Sequence, residues 1–597
     1  LTLRRDLIEK NLERNLTLFA GLMAIGIVAA FAIMTRLPLD PLAPLAEGLT
    51  ANEQTWQTVL LILLLLVDYI LVVIPFFFAG LVLGGTFSAL PERISTLYFA
   101  DLIGAGLGCL VVIGALWVLP GQGVVLLAAG LAALAALFFS LQGRLAPAKE
   151  TDAGQEEVGT SGSRSGVLGV TLLAATGVIL LLALAPIADR FLPLYIPPSK
   201  PLSQADTDPT INLVYTGFTP FARVDVMYRE GASLGTWGMS QRCTAPPSPE
   251  QLFITIDAAA ITTITNFDGG REQIAFVNCA PSSLAYQVRG QPLESALLIG
   301  PGGGIDVLTA FYNGVQRIVG AEINPLIVGL VADDSLYRDY AGGLYTDYGE
   351  IQIELAEGRN FVARSKEKYD LIQFSQVATW AAAASGAYSL SENFLSTTEA
   401  FLDYYDHLAD DGMLTVGRWY FEPPRQAFRL VTIGTTALEQ RGVADPAQHF
   451  MVVRAGDTST FIMKKSPFTA DEIARLRSVV DELGFTMLYA PDEMDPENWF
   501  VRFFAAPNRA QFYQDYPLDV TPTTDNRPFF FEYYGWSNLG DFRSGKATLS
   551  ILLIQALVLA SAFILWPLWR FRRQGLATRG ARRFMVYFAA LGIGFIF

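Results

Sequence analysis

Ala296-Leu-Leu-Ile-Gly-Pro-Gly-Gly-Gly-Ile-Asp306 is an apolar run that breaks into glycines and reopens as an apolar segment, and Gly320-Ala-Glu-Ile-Asn-Pro325 is a second short apolar run ending in an acid. A buried strand that turns through glycines into a helix lets backbone come close to a ligand at the helix N-terminus. This pairing predicts a nucleotide-type pocket.

The glycines fall at 300, 302, 303 and 304, and Ile305 stands where the third glycine of a dinucleotide fingerprint would be. That spacing argues against NAD. The tighter Gly300-x-Gly302-x-Gly304 pattern suits an adenosyl ligand, with Glu322 at the end of the next strand offering a carboxylate to ribose hydroxyls. S-adenosylmethionine or its decarboxylated form is the expected ligand; a tight turn beside a surface glutamate is the plainer alternative.

Working outward, 291–437 alternates strand and helix at 296–299, 305–313, 317–322, 326–333, 351–354, 370–374, 397–408 and 413–417. Such alternation predicts a doubly wound α/β Rossmann-like domain with a parallel sheet. Gly300, Glu322, Glu357 and Gln373 to Gln376 all fall at carboxyl ends of its strands, where open sheets of this kind bind ligands. Upstream, Phe221-Ala-Arg-Val-Asp-Val-Met227 and Leu252-Phe-Ile-Thr-Ile-Asp257 alternate apolar and polar residues and predict a small β subdomain over 189–290. An appended α/β segment is expected over 441–546, ending in Thr524-Asp-Asn-Arg-Pro-Phe-Phe-Phe531.

Outside this region the chain is too apolar for a wholly soluble protein. Of 597 residues 52% are hydrophobic and 17% charged, and the mean hydropathy is +0.36. Runs near 16–35, 59–86, 100–119, 121–141, 166–187 and 548–568 approach or exceed the ~20 residues that span a bilayer. The expected architecture is a polytopic α-helical membrane domain over 1–188 with five helices, and C-terminal membrane helices over 547–597. A seventh run starts near Phe584. The chain opens on Leu1 and stops at Phe597 inside that run, which reads as a fragment of a longer protein. The Gly-, Ser- and Glu-rich stretch 148–165 reads as a polar loop between helices.

Val59 to Phe87 is either one helix kinked at Pro75 or two short ones. Taken as one, the segments 1–15, 87–99, 142–165 and 569–583 share a side and hold 14 Lys and Arg, against five on the other. By the positive-inside tendency the soluble region then faces away from the cytoplasm. Cys243 and Cys279 are the only cysteines of that region, and a disulfide and two reduced buried thiols are equally compatible with the sequence. The formal charge of −15 speaks against a nucleic-acid partner, and two histidines without a Cys or His cluster speak against zinc. Asp68 lies inside the second apolar run, where a carboxylate is costly and is by default functional or hydrogen-bonded to a neighbouring helix. Gly104 and Gly108 are spaced for close helix contact.

The chain resembles the spermidine synthase family of polyamine aminopropyltransferases, and more closely its large bacterial members in which the synthase domain lies between membrane helices. The resemblance is carried by the glycine turn, by Ala321-Glu-Ile-Asn-Pro325, Ala356-Glu-Gly-Arg-Asn-Phe361, Lys368-Tyr-Asp-Leu-Ile-Gln373 and Gly386-Ala-Tyr-Ser-Leu-Ser-Glu-Asn-Phe394, and by Tyr98-Phe-Ala-Asp-Leu-Ile-Gly-Ala-Gly-Leu-Gly108 in the membrane part. It implies that Gly300, Gly302 and Gly304 bind the adenosyl ligand, that Glu322 holds its ribose, and that Glu357 and Gly358 approach the adenine. It also implies a small-molecule amine as acceptor, no metal, and a multi-pass protein of a bacterial inner membrane.

Aminopropyl transfer needs an acid after the Tyr-Asp strand to bind and deprotonate the amine. This chain has Ser375 and Ala378 where soluble members carry aspartates. Ser375 and Gln376 are the expected acceptor contacts, with Glu392 or Asp306 as substitute carboxylates. Two other readings share these residues: a domain that has lost catalysis and serves a transporter-like bundle as sensor or partner, and a methyltransferase on the same fold.

Overall fold

The computed structural model describes residues 12–40, 43–45, 48–145, 161–377, 391–535 and 545–571, with 583, 586, 587, 589 and 590. The chain divides into two units, Leu1–Pro197 with Leu549–Phe597, and Pro198–Thr548.

Uninterrupted apolar sequence builds the first unit. Its helices α1 (Leu12–Met34), α2 (Ala51–Ala89), α3 (Ile94–Leu116), α4 (Gly121–Leu145) and α5 (Ser161–Leu184) correspond to five spans long and apolar enough to cross a membrane. α2 answers the question posed by Pro75: it runs 39 residues without a break, opened by a capping box between Thr50 and Glu53. Proline removes one amide donor from the ladder, and α1 lies against this point, where a Cβ on Gly26 would stand 3.2 Å from Ile74. Ser140 on α4 donates to the Thr171 hydroxyl on α5 at 3.1 Å, a polar tie between apolar helices. Asp68 is half-buried in α2. The spacing of Gly104 and Gly108 is not used for packing here: no atom lies within 4 Å of either position's Cβ direction among the described residues. Gly545–Ala560 continues through a π turn at Ser561–Leu565 into Trp566–Phe571, and the run after Phe584 lies mostly outside the described residues.

In the second unit, period-two sequence gives a four-stranded antiparallel sheet, β1 (Asn212–Phe218), β2 (Arg223–Tyr228), β3 (Gln251–Ile256) and β4 (Ala260–Thr265). Cys243 and Cys279 are joined as a disulfide. The glycine turn and its successors form an eight-stranded sheet from β5 (Ser295–Ile299), β6 (Arg317–Glu322), β7 (Ile351–Leu355), β8 (Tyr369–Ser375), β9 (Leu408–Trp419), β10 (Phe450–Ala455), β11 (Thr458–Lys464) and β12 (Thr486–Tyr489), in the order β12-β10-β11-β9-β8-β5-β6-β7. β5 to β9 are parallel where they pair; β11 runs against β9 and β10 against β11. The strands after residue 450 therefore extend the same sheet.

Alternating residues of these strands feed two cores, one on each face. Ala296 and Leu298 of β5, Leu371 of β8 and Met451 of β10 join one, while Leu297 and Ile299, Ile372 and Phe374, and Phe450 and Val452 join the other. α6 (Leu284–Arg289), α7 (Ile305–Tyr312), α8 (Pro325–Ala332) and α12 (Ala470–Leu483) supply residues to the first core; α9 (Gly358–Arg364), α10 (Thr398–His407) and α11 (Gln426–Gln440) supply the second. From β5 the chain passes to β6 and β7 on one side and then returns to β8 and β9 on the other. The switch point lies between β5 and β8, and it opens a crevice at the carboxyl ends of both strands.

Candidate functional site

At the end of β5 the chain turns through three left-handed glycines, Gly300 at φ 66°, Gly302 at φ 58° and Gly304 at φ 104°. A side chain is excluded by contact as well as by φ, because a Cβ on Gly303 would stand 2.2 Å from the Thr263 carbonyl oxygen. The amides of the turn are bonded within the protein. Gly302 N–H donates to Glu322 at 3.2 Å, Gly303 N–H to the Thr262 hydroxyl at 3.0 Å, and Gly304 N–H to the Pro301 carbonyl. Tyr345 donates its hydroxyl to the Gly302 carbonyl at 2.7 Å from beneath. The turn is thus held rigid by β4, by β6 and by the segment carrying Tyr345.

Glu322 ends β6 as expected, and its carboxylate also accepts from the Asn324 amide at 2.9 Å. Burial pushes its pKa up, and the Asn324, Gly302 and Ile323 amides pull against that. Glu357 stands at the foot of α9 as its N-cap, accepting from the amides of Arg359 at 3.1 Å and Asn360 at 2.7 Å. Gly358 is buried, and a Cβ there would stand 2.2 Å from Ile299, so its glycine lets α9 close on β5. Two apolar side chains sit exposed beside these acids: Ile323 at 46% and Leu355 at 59%. Glu322 and Leu355 are register partners, which places these residues at the carboxyl ends of adjacent strands.

Ser375 terminates β8 and Gln376 follows it. Gln376 takes φ 55°, rare for a side-chain-bearing residue, and its amide donates to the Gly417 carbonyl. Gln373 donates to Ser375 Oγ at 3.2 Å. Val377 packs over Gly300, where a Cβ would stand 2.9 Å from its Cγ2, and Arg418 of β9 donates to the Val377 carbonyl at 3.1 Å. Ala378 falls outside the described residues. Of the two substitute carboxylates, Glu392 is exposed to solvent. Asp306 is 4% exposed in the first turn of α7, with Ser375 and Gln373 in hydrogen-bonding reach. Its burial pushes the pKa up to about 6 against the pull of those two side chains. Among the described residues there is no group of His, Cys, Asp or Glu suited to a metal.

Sequence reasoning missed the clamp behind α9. Arg359 donates to both oxygens of Asp525 at 2.6 and 2.7 Å and to Asp403 at 3.2 Å, while Thr397 donates to Asp525 at 2.7 Å. Asp525 belongs to Thr524-Asp-Asn-Arg-Pro-Phe-Phe-Phe531, a polar-to-aromatic stretch whose contrast was visible in the sequence. Phe530 and Phe531 fill the second core, which delivers Asp525 to the edge of the site.

No known family model and no curated protein matches the chain. Among solved structures it is similar to the spermidine synthase of Thermotoga maritima, at 16% identity over 46% of this chain and 88% of that one with a TM-score of 0.28. It is also similar to a probable spermidine synthase of Corynebacterium glutamicum, at 12% identity over 49% and 95% with a TM-score of 0.33, and to human methyltransferase-like protein 13 in complex with SAH, at 14% identity over 34% and 89% with a TM-score of 0.23.

Proposed function

We propose that the chain is a membrane-anchored, spermidine-synthase-like transferase that binds decarboxylated S-adenosylmethionine or a close adenosyl relative and transfers its aminopropyl group to a small amine. The observation that carries this reading is what stands at the carboxyl ends of β5, β6 and β7: a rigid glycine turn, the Glu322 carboxylate, and the exposed apolar side chains of Ile323 and Leu355. An adenosyl sulfonium carries no phosphate, so it needs no open nest of amides; it needs an acceptor for ribose hydroxyls and an apolar face for adenine. The internal bonding of the glycine amides is compatible with that ligand and unfavourable to a dinucleotide. Transfer is a displacement at carbon that depends on alignment of amine and sulfonium rather than on a covalent enzyme intermediate.

A bilayer is the proposed environment of the first unit, supported by five long apolar helices and by the apolar side chains that α2 and α3 expose along their length, Phe76, Phe77, Leu107 and Leu110 among them. The proposed location is a bacterial inner membrane. The excess of Lys and Arg on one set of loops and the Cys243–Cys279 disulfide together favour a soluble unit on the non-cytoplasmic side. A second reading, ligand binding without turnover, is favoured by one feature: β8 ends in Ser375 and not in an acid.

The binding step is tested by thermal unfolding of the full chain in detergent with methylthioadenosine, decarboxylated S-adenosylmethionine or S-adenosylmethionine. A stabilisation by the first two that Glu322→Gln removes is expected. Stabilisation by S-adenosylmethionine alone would favour methyl transfer, and no shift with any of the three would refute the adenosyl site.

A further inference from the structure

The reaction proposed above needs a proton acceptor for the amine, and β8 ends without one. Asp306 lies in the first turn of α7, two residues after Gly304, and β8 is the parallel neighbour of β5, the strand from which that turn leads. Its carboxyl is buried with Ser375 and Gln373 in hydrogen-bonding reach. Gln373 donates to Ser375 Oγ at 3.2 Å, which occupies a lone pair of the hydroxyl and leaves its proton free to point at Asp306. Gln373 is 1% exposed, whereas Ser375, at the carboxyl end of β8, is only half-buried.

An acid that served only the N-terminus of α7 would face solvent or bond the first amides. Asp306 does neither: it is 4% exposed, and its Oδ1 has no hydrogen-bond partner among the described residues. Three buried polar atoms around it, Asp306 Oδ1, Gln373 Oε1 and the Tyr286 hydroxyl, have no hydrogen-bond partner among the described residues. Two are pure acceptors and the third can accept, which suits a donor-rich group arriving at Ser375. The groups that face Asp306 are Tyr286 of α6 and Tyr345, the latter also facing Glu322; no cation features among the causes of its shift. Leaving a carboxylate buried without a cation costs stability.

We propose that Asp306, acting through the Ser375 hydroxyl, is the proton acceptor for the amine, entering the site from the glycine-turn helix in place of an acid at the end of β8. The inference rests on the transferase reading above. The neutral amine nitrogen forms its bond to the propyl carbon as the carbon–sulfur bond breaks, and that electron pair leaves on sulfur as the neutral thioether of methylthioadenosine. The new ammonium passes a proton to Ser375 Oγ while the Ser375 proton moves to Asp306, which afterwards releases it to water. Asp306 is thus a positioning residue and Ser375 the group that touches the amine. A base that titrates near 6 is ionised at neutral pH and still basic enough to share the proton.

The test is methylthioadenosine release by the full chain in detergent, with decarboxylated S-adenosylmethionine and 1,4-diaminobutane, measured across pH alongside the thermal shift with methylthioadenosine. Turnover of the wild type should fall away on the acid side with a midpoint near 6. Asp306→Asn should retain the thermal shift, lose that acid limb and turn over about 10²- to 10⁴-fold more slowly, with Asp306→Glu recovering part of the rate. Ser375→Ala, a milder change, should lower turnover and move the limb to higher pH, because it removes a bond that favours the carboxylate. A retained thermal shift with the acid limb unchanged in Asp306→Asn, or in Ser375→Ala should the former not fold, would overturn the role of Asp306 and leave the transferase standing. A wild type without release of methylthioadenosine would overturn the transferase reading and this inference with it.

Discussion

Asp306 is a buried carboxyl in the first turn of α7, two residues after the glycine turn. Second in a helix, after glycines, it reads as an ordinary early-turn acid that favours the positive end of the helix dipole; in the fold it is buried beneath the turn, and its ordinary value of 3.8 is pushed up to about 6. Across that interval the native state holds a proton that the unfolded state has released, so stability falls as pH rises from about 4 to about 6 and stays low above it. Two pKa units correspond to about 3 kcal/mol. Asp306→Asn lacks this linkage. Its denaturant-measured stability should match the wild type's pH course below about pH 4 and gain on it by up to about 3 kcal/mol at neutral pH. A constant difference between the two across the window would mean that Asp306 does not titrate in it. Gly300, Gly302 and Gly304 were legible as a turn, because glycines set between two apolar runs are a local pattern; their left-handed φ is seen in the fold. Glu357 was legible as a residue beside the site, whereas its use as the cap of α9 depends on where that helix begins.

Among the elements, α9 shows how the site is held in place. It is a helix of seven residues, too short to persist alone, and it carries Gly358 against Ile299 at the carboxyl end of β5. Arg359 anchors it to Asp525 and Asp403 in a bidentate pair and a further bond, a geometry that a lysine does not reproduce. Arg359→Ala should cost about 1–3 kcal/mol by urea denaturation, and Arg359→Lys should recover only part of this. A loss under about 0.5 kcal/mol would place the pair among surface ion pairs of little consequence. The alternation of strands and helices from β5 to β9 could be read because each strand is a short apolar run with its own turn. The hairpin of β10 and β11 read as an appended unit, since pairing with β9 links residues far apart in sequence and leaves no local mark. The same applies to Thr262, which reaches the glycine turn from a different sheet.

At the scale of the whole molecule, in the membrane-bound arrangement proposed above, the side on which the second unit lies is the property with most bearing on the proposed function, because adenosyl ligands and thiol reductants share a compartment. The proposed orientation, with this unit on the non-cytoplasmic side, rests on a disulfide and an arginine-rich set of loops. Alkaline phosphatase fused after Arg441 should therefore be active, and Cys243 and Cys279 should resist alkylation in intact cells until a reductant is added. An inactive fusion with both thiols freely alkylated would place the unit in the cytoplasm and remove the compartment objection to adenosyl chemistry.

Amino-acid order alone settled what depends on neighbours along the chain: apolar runs long enough to span a bilayer, a glycine turn between a strand and a helix, and a strand-helix rhythm that calls for a parallel sheet. The tertiary structure decided which distant groups meet. The switch point between β5 and β8 brings Asp306 to Ser375, the fold of the second core delivers Asp525 to Arg359, and Cys243 finds Cys279. Burial, not residue type, sets the proton affinity of such a group, and burial is a property of packing that no short stretch of sequence contains.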